Sequence, residues 1–135
     1  MKFTWVVLVI GSCLVVAYFA FGPRLPPCPK VGKKHNCYAS SKHIDGSNYV
    51  GEWLNNKRHG IGQLSFPDGD VYTGEWSNGK MTGNGEFEFH TGIKYVGQFL
   101  DGKFHGWGQL TKTNGHTQEG KWKNGRFLFR FVFPS

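Results

Sequence analysis

The sequence predicts an all-β protein: an antiparallel repeat sheet, built as a single-layer solenoid of β-hairpins and preceded by one N-terminal transmembrane helix. Three observations predict it. A Tyr-x-Gly-x-aromatic segment recurs on a constant 23-residue step, at Tyr49, Tyr72 and Tyr95. Each copy alternates large and small side chains, the period of two expected of a strand with one packed face. Residues 3–22, by contrast, form one apolar run without a charge.

The repeat is legible in many columns at once. Tyr49-Val50-Gly51-Glu52-Trp53 is matched by Tyr72-Thr73-Gly74-Glu75-Trp76 and by Tyr95-Val96-Gly97-Gln98-Phe99. A fourth copy, Gln118-Glu119-Gly120-Lys121-Trp122, keeps the Gly and the aromatic but loses the Tyr. The pairs Gly60/Gly62, Gly83/Gly85 and Gly106/Gly108 hold the same register, as do Gly46, Gly69, Gly92 and Gly115. Such agreement marks a repeat architecture. A single copy, "YVGEWLNNKRHGIG", passes for a phosphate-cradling Gly-rich loop. As one of a series it reads as a hairpin, its glycines making room and turns.

Within each unit a connection from Asn55 to Gly60 is expected to turn the chain, and Gly62 to Phe66 to form the returning strand. Pro67-Asp68-Gly69-Asp70 then supplies the turn into the next unit. A lone hairpin is marginal in water, so each unit must be stabilised by its neighbours. Tyr49, Trp53, Tyr72, Trp76, Tyr95, Phe99 and Trp122 are accordingly expected to form the core. The C-terminal "RFLFRFVFPS" places Phe127, Phe129, Phe131 and Phe133 on one side of a last strand. It reads as a cap that closes the edge; the competing reading is a sticky aromatic face for a partner or lipid.

The pattern Y-x-G-E-W, followed by G-K-x-x-G-x-G and a closing turn Gly, resembles MORN repeats over residues 46 to 126. A degenerate half unit precedes them, with Cys37 standing where Gly60 stands and Ala39 where Gly62 stands. "LPPCP" leading to "NC" is similar to the start of bacterial exported MORN proteins. The resemblance implies a non-enzymatic module for protein–protein interaction or membrane apposition. The chain divides into an anchor or signal segment at 1–22, a basic Pro/Cys linker with the half repeat at 23–45, and MORN-like repeats with a cap at 46–135.

The twenty residues from Phe3 to Gly22 span about 30 Å as a helix, the thickness of a bilayer core. Lys2 and the small residues near Val15-Val16-Ala17 fit a cleaved signal peptide, and "IGSC" offers lipidation at Cys13. The apolar run continues through Tyr18, Phe19 and Phe21, and Pro23 opposes cleavage after Gly22, which favours a retained single-pass anchor. Arg24, Lys30, Lys33 and Lys34 argue for a cytoplasmic C-terminal part by the positive-inside rule. Against this, Cys28 and Cys37 form an even pair beside prolines, a candidate disulfide clip of an oxidising compartment. The likeness to exported proteins tips the expectation toward repeats on the periplasmic side of a bacterial inner membrane.

Residues 23–45 carry five basic and one acidic side chain, and residues 46–135 ten and eight. So balanced a folded part does not suit a nucleic-acid-binding domain. Lys57, Lys80, Lys103 and Arg126 share one column, one per unit. Stacked hairpins would set them about 10 Å apart, a cationic ladder for acidic lipid head groups or an unidentified protein partner; the competing reading is a solvated turn. His59 and His105 stand two units apart, too far to share a metal. No nucleophile is paired with a base, no Walker spacing occurs, and Asp68 with Glu75 lacks a desolvating pocket. The expectation is a scaffold, with neither enzymatic activity nor a cofactor.

Overall fold

The computed structural model describes residues 25–130. The expected membrane segment at 1–22, and Phe131 and Phe133 of the expected cap, lie outside them. Among the described residues no helix is long and apolar enough to cross a membrane.

Nine strands follow one another: β1 (Cys37–Lys42), β2 (Asn48–Leu54), β3 (Lys57–Ser65), β4 (Val71–Ser77), β5 (Lys80–Glu88), β6 (Lys94–Leu100), β7 (Lys103–Thr111), β8 (Thr117–Lys123) and β9 (Arg126–Phe129). Their order in the sheet is their order in the chain, and every pairing between neighbours is antiparallel. The result is an open meander. Each hairpin also pairs antiparallel with the next, in a regular register, so no unit is left alone.

Two kinds of turn alternate. Within a unit the loop has two residues, Asn55-Asn56, Asn78-Gly79, Asp101-Gly102 or Asn124-Gly125, and both have positive φ, such as 50° at Asn78 and 85° at Gly79. This is the primed turn whose twist matches that of the flanking strands. The connection is therefore shorter than the six residues expected between Asn55 and Gly60. Asn tolerates the left-handed region well enough to close the hairpin at once, and β3 already starts at Lys57. Between units the turn is wider. The Gly69 N–H donates to the Phe66 carbonyl at 3.1 Å, and the Phe66 N–H to that of Asp70 at 2.8 Å. Gly69 holds φ at 95° there.

All the packing lies on one face. Tyr49, Tyr72 and Tyr95 are wholly buried, and Trp53, Trp76, Phe99 and Trp122 nearly so. A sheet one layer thick buries such rings only if they lie down on the sheet. The glycines permit that: a Cβ on Gly85 would stand 2.7 Å from the Tyr72 ring and hydroxyl. The Tyr72 hydroxyl reaches along the strand and donates to the Glu75 carbonyl at 2.9 Å. The Trp76 indole N–H donates to the Gly62 carbonyl of the preceding unit at 3.1 Å. Tyr72 also meets Trp76 edge-on at 5.2 Å and Phe99 of the next unit at 4.9 Å. Edge-to-face contacts of this kind are favourable beyond their burial, and each ring ties its own unit to the next.

A second layer, formed by Arg58, Met81, Phe104 and Phe127, closes over these rings on the same 23-residue step. Phe104 stacks on Tyr95 at 3.8 Å with 8° between planes, and the Arg58 guanidinium lies over Trp76 at 4.9 Å. Sequence matching does not single out this column because its residues differ from copy to copy. They share only a long side chain able to lie over an aromatic.

The half unit supplies β1. Cys37 pairs with Trp53 and Ala39 with Gly51, the positions Gly60 and Gly62 hold against Trp76 and Gly74. Alanine is tolerated at 39 because Pro26, not a tyrosine, stands one step before Tyr49. At the other end Phe127 pairs with Trp122 and meets its ring at 5.2 Å. A register shift then sets Phe129 opposite Lys121. Phe127 and Phe129 thus lie on opposite faces, not on the single side that alternation predicts. The bulge inserts one residue and so reverses the facing of Phe129.

Candidate interaction surface

The outer face carries the side chains that the core does not use. One of its columns is built into the fold. The register steps from Glu75↔Thr82 to Gly74↔Gly85, so Gly83 and Asn84 have no partner on β4. Glu75 fills that gap: its Oε1 accepts the Asn84 main-chain N–H at 2.9 Å and the Asn84 amide at 3.1 Å. Gln98 does the same for the Trp107 main-chain N–H at 2.9 Å. Glu52 accepts from the Ile61 N–H in its own unit; burial nonetheless lifts its carboxyl above the ordinary value, against the pull of that bond and of His59. These acidic or amide positions therefore clamp bulges. Their recurrence was visible in the sequence, but their role required the register.

The neighbouring columns vary. Val50, Thr73, Val96 and Glu119 form one, Tyr38, Ile61, Asn84 and Trp107 another, and Gln63, Glu86 and Gln109 a third. Local pairs cross them. Gln63 donates to the Thr73 hydroxyl at 3.1 Å. Lys94 bonds Glu86 at 2.9 Å, which holds its ammonium above the ordinary lysine range. At the wide turns Asp70 accepts the His90 main-chain N–H at 2.8 Å, and this bond first, then the His90 ring, depresses its carboxyl. Tyrosine hydroxyls move the other way: burial pushes Tyr95 up to about 12, and Tyr49 and Tyr72 still higher.

The four basic side chains of the expected ladder open β3, β5, β7 and β9, directly after the tight turns, and all four are exposed. They are not equivalent. Lys80 is bonded to Asp101 of the next turn at 3.0 Å, with both side chains 64% exposed. Asn stands in the Asp101 position at 55, 78 and 124. The near balance of charge over residues 46–135 also hides a gradient. Lys103, Lys112, Lys121, Lys123, Arg126 and Arg130 face a single acidic residue, Glu119, in the last three strands and their margins, whereas acidic side chains outnumber basic ones between β2 and β6.

Cys28 and Cys37 are joined by a disulfide, with Cα atoms 4.8 Å apart. The Cys28 N–H donates to the Tyr38 carbonyl at 3.0 Å, and the Tyr38 N–H to the Pro26 carbonyl at 2.8 Å. Among the described residues no three His, Cys, Asp or Glu side chains gather as metal ligands.

Hairpins stacked on a constant step, with their recurring residues consumed in packing, turns and bulges, define a β-hairpin repeat protein. Residues 49–71, 72–94 and 95–117 each match the MORN repeat, and the chain belongs to the MORN-repeat family. Comparison with curated proteins finds no match. Repeats of this family are generally protein- or lipid-binding modules and typically non-enzymatic. Here β1 precedes the matched residues, and nearly all of β8 and all of β9 follow them in the same sheet.

Proposed function

We propose that this protein is a non-enzymatic scaffold, held at a membrane by residues 1–22, whose repeats bind a protein partner on the extracytoplasmic side. One observation carries the binding reading. Most residues that recur in the copies are spent on the fold, and those that differ, apart from the Arg58, Met81, Phe104 and Phe127 column over the core rings, collect on the outer face and turn edge. A surface with fixed spacing and changing chemistry presents several weak contacts together, and their effective concentrations multiply. The apolar run at 3–22 supports the anchor. The Cys28–Cys37 bond supports an oxidising compartment.

Photo-cross-linking in intact cells tests it. A photoreactive residue at Asn84, on the outer face, is expected to yield discrete protein adducts, whereas one at Lys112, at a wide turn, is expected to yield few. Adducts to lipid alone from Asn84 would overturn the reading. The second reading is binding of anionic phospholipid through Lys57, Lys80, Lys103 and Arg126. It is favoured by their exposure in one row. Co-sedimentation of residues 25–135 with anionic vesicles that survives reversal of all four to Glu rules that version out.

A further inference from the structure

The two edges of the sheet are finished differently. Along β1, the segment Pro26–Cys28 is bonded to Tyr38 and pinned by the disulfide to Cys37, so the first part of this edge is covered. Along β9, no described residue pairs with the outer side. An open edge presents main-chain donors and acceptors to any extended chain that fits it.

Charge decides which chain fits. Arg126 and Arg130 lie at the two ends of β9, and Lys121 and Lys123 on the strand beside it. A second copy pairing antiparallel along β9 would bring arginine against arginine, and like charges across a pair of strands are unfavourable. The β1 edge of another copy is no better. Its first part is covered, the other end carries Lys42, and Lys33 and Lys34 precede it in the chain. The remaining side chains, Leu128 and Phe129, are 51% and 53% exposed, apolar contacts framed by positive charge.

We propose that the outer edge of β9 is the docking strand for an acidic, extended peptide segment of a partner protein, which joins the sheet beside β9. Main-chain bonds supply the pairing, Leu128 and Phe129 receive apolar side chains, and the four basic residues select acidic ones. This rests on the reading of the protein as a protein-binding module.

The test uses the full chain and an end-capped hexapeptide of alternating Glu and Val, with alternating Lys and Val as control. The acidic peptide is expected to bind and to slow amide exchange at Arg126–Phe129. Binding should weaken at least ~10-fold when Arg126 and Arg130 are both reversed to Glu. The Lys peptide should not bind. Exchange elsewhere in the sheet in the unbound variant reports that it remains folded. Acidic-peptide binding that protects other strands and leaves β9 unprotected overturns the docking strand while leaving the scaffold reading in place. Association with anionic vesicles, with no peptide protection anywhere, overturns both.

Discussion

The Glu75 side chain accepts the main-chain N–H of Asn84 at 2.9 Å, across a bulge where Gly83 leaves no room for a Cβ between them. This contact converts an irregularity of the ladder into a satisfied one. Glu75→Ala leaves the exposed Asn84 N–H to water in place of its acceptor and is expected to cost about 0.5–1.5 kcal/mol. Glu75→Gln keeps an acceptor in place, as Gln98 does naturally, and should cost less than ~0.5 kcal/mol. Urea denaturation of the two variants separates these outcomes; equal losses would show that charge, not hydrogen bonding, matters at the site.

Gly85→Ala is expected to be among the most damaging single changes in the repeats. Its Cβ would meet the Tyr72 ring at 2.7 Å, and moving that ring disturbs Trp76 and Phe99 as well. Overpacking of a close-packed core costs about 1–3 kcal/mol or more. Gly79→Ala is the control: open space surrounds it, and only φ of 85° opposes the new side chain, a penalty of about 1–2 kcal/mol. Thermal unfolding of both should place Gly85→Ala lower.

Alkali should unfold the sheet through its tyrosines. The folded state raises the hydroxyl of Tyr95 to about 12, from 10.0 unfolded, and raises Tyr49 and Tyr72 in the same direction. The folded protein therefore binds more protons than the unfolded chain between these limits, and stability falls as pH rises. It is fully present below pH 10 and is lost as pH climbs toward and beyond 12. Stability curves taken across that range should fall; a flat curve would contradict burial of the hydroxyls.

Reversing the charges of the turn column should barely touch stability. Lys80 and Asp101 are both well exposed, and exposed pairs contribute about 0–1 kcal/mol. Lys80→Glu is expected to stay within that range, and its cost should shrink at high salt, which screens the repulsion from Asp101. Urea titrations at low and high salt measure it, and they qualify the same variants for vesicle experiments.

Reduction tests compartment and clip together. Opening the ten-residue loop between Cys28 and Cys37 is expected to destabilise the N-terminal edge by about 2.7 kcal/mol on chain entropy. In intact cells, an impermeant maleimide should label neither cysteine until reductant is added. Labelling without reductant would contradict the clip, and none after reduction, with labelling restored on lysis, would contradict the extracytoplasmic placement.

The sequence by itself determined the 23-residue step, the hairpin unit, the burial of Tyr72 and Trp76, and the register of Cys37 and Ala39 in the half unit. These follow from short-range signals: alternation, turn residues, and the need for a small residue beneath a large ring. Only the tertiary structure decided that the turn closes at Asn55-Asn56, that Glu75 clamps a bulge, that Phe129 faces away from Phe127, and that Lys80 is bonded to Asp101. Each of these depends on which residue lies opposite which. A bulge changes that by one or two positions and leaves no mark on the hydrophobic pattern. Strand register is set by bonds between residues far apart in the chain, and so are the chemistry of the outer face and the difference between its two edges.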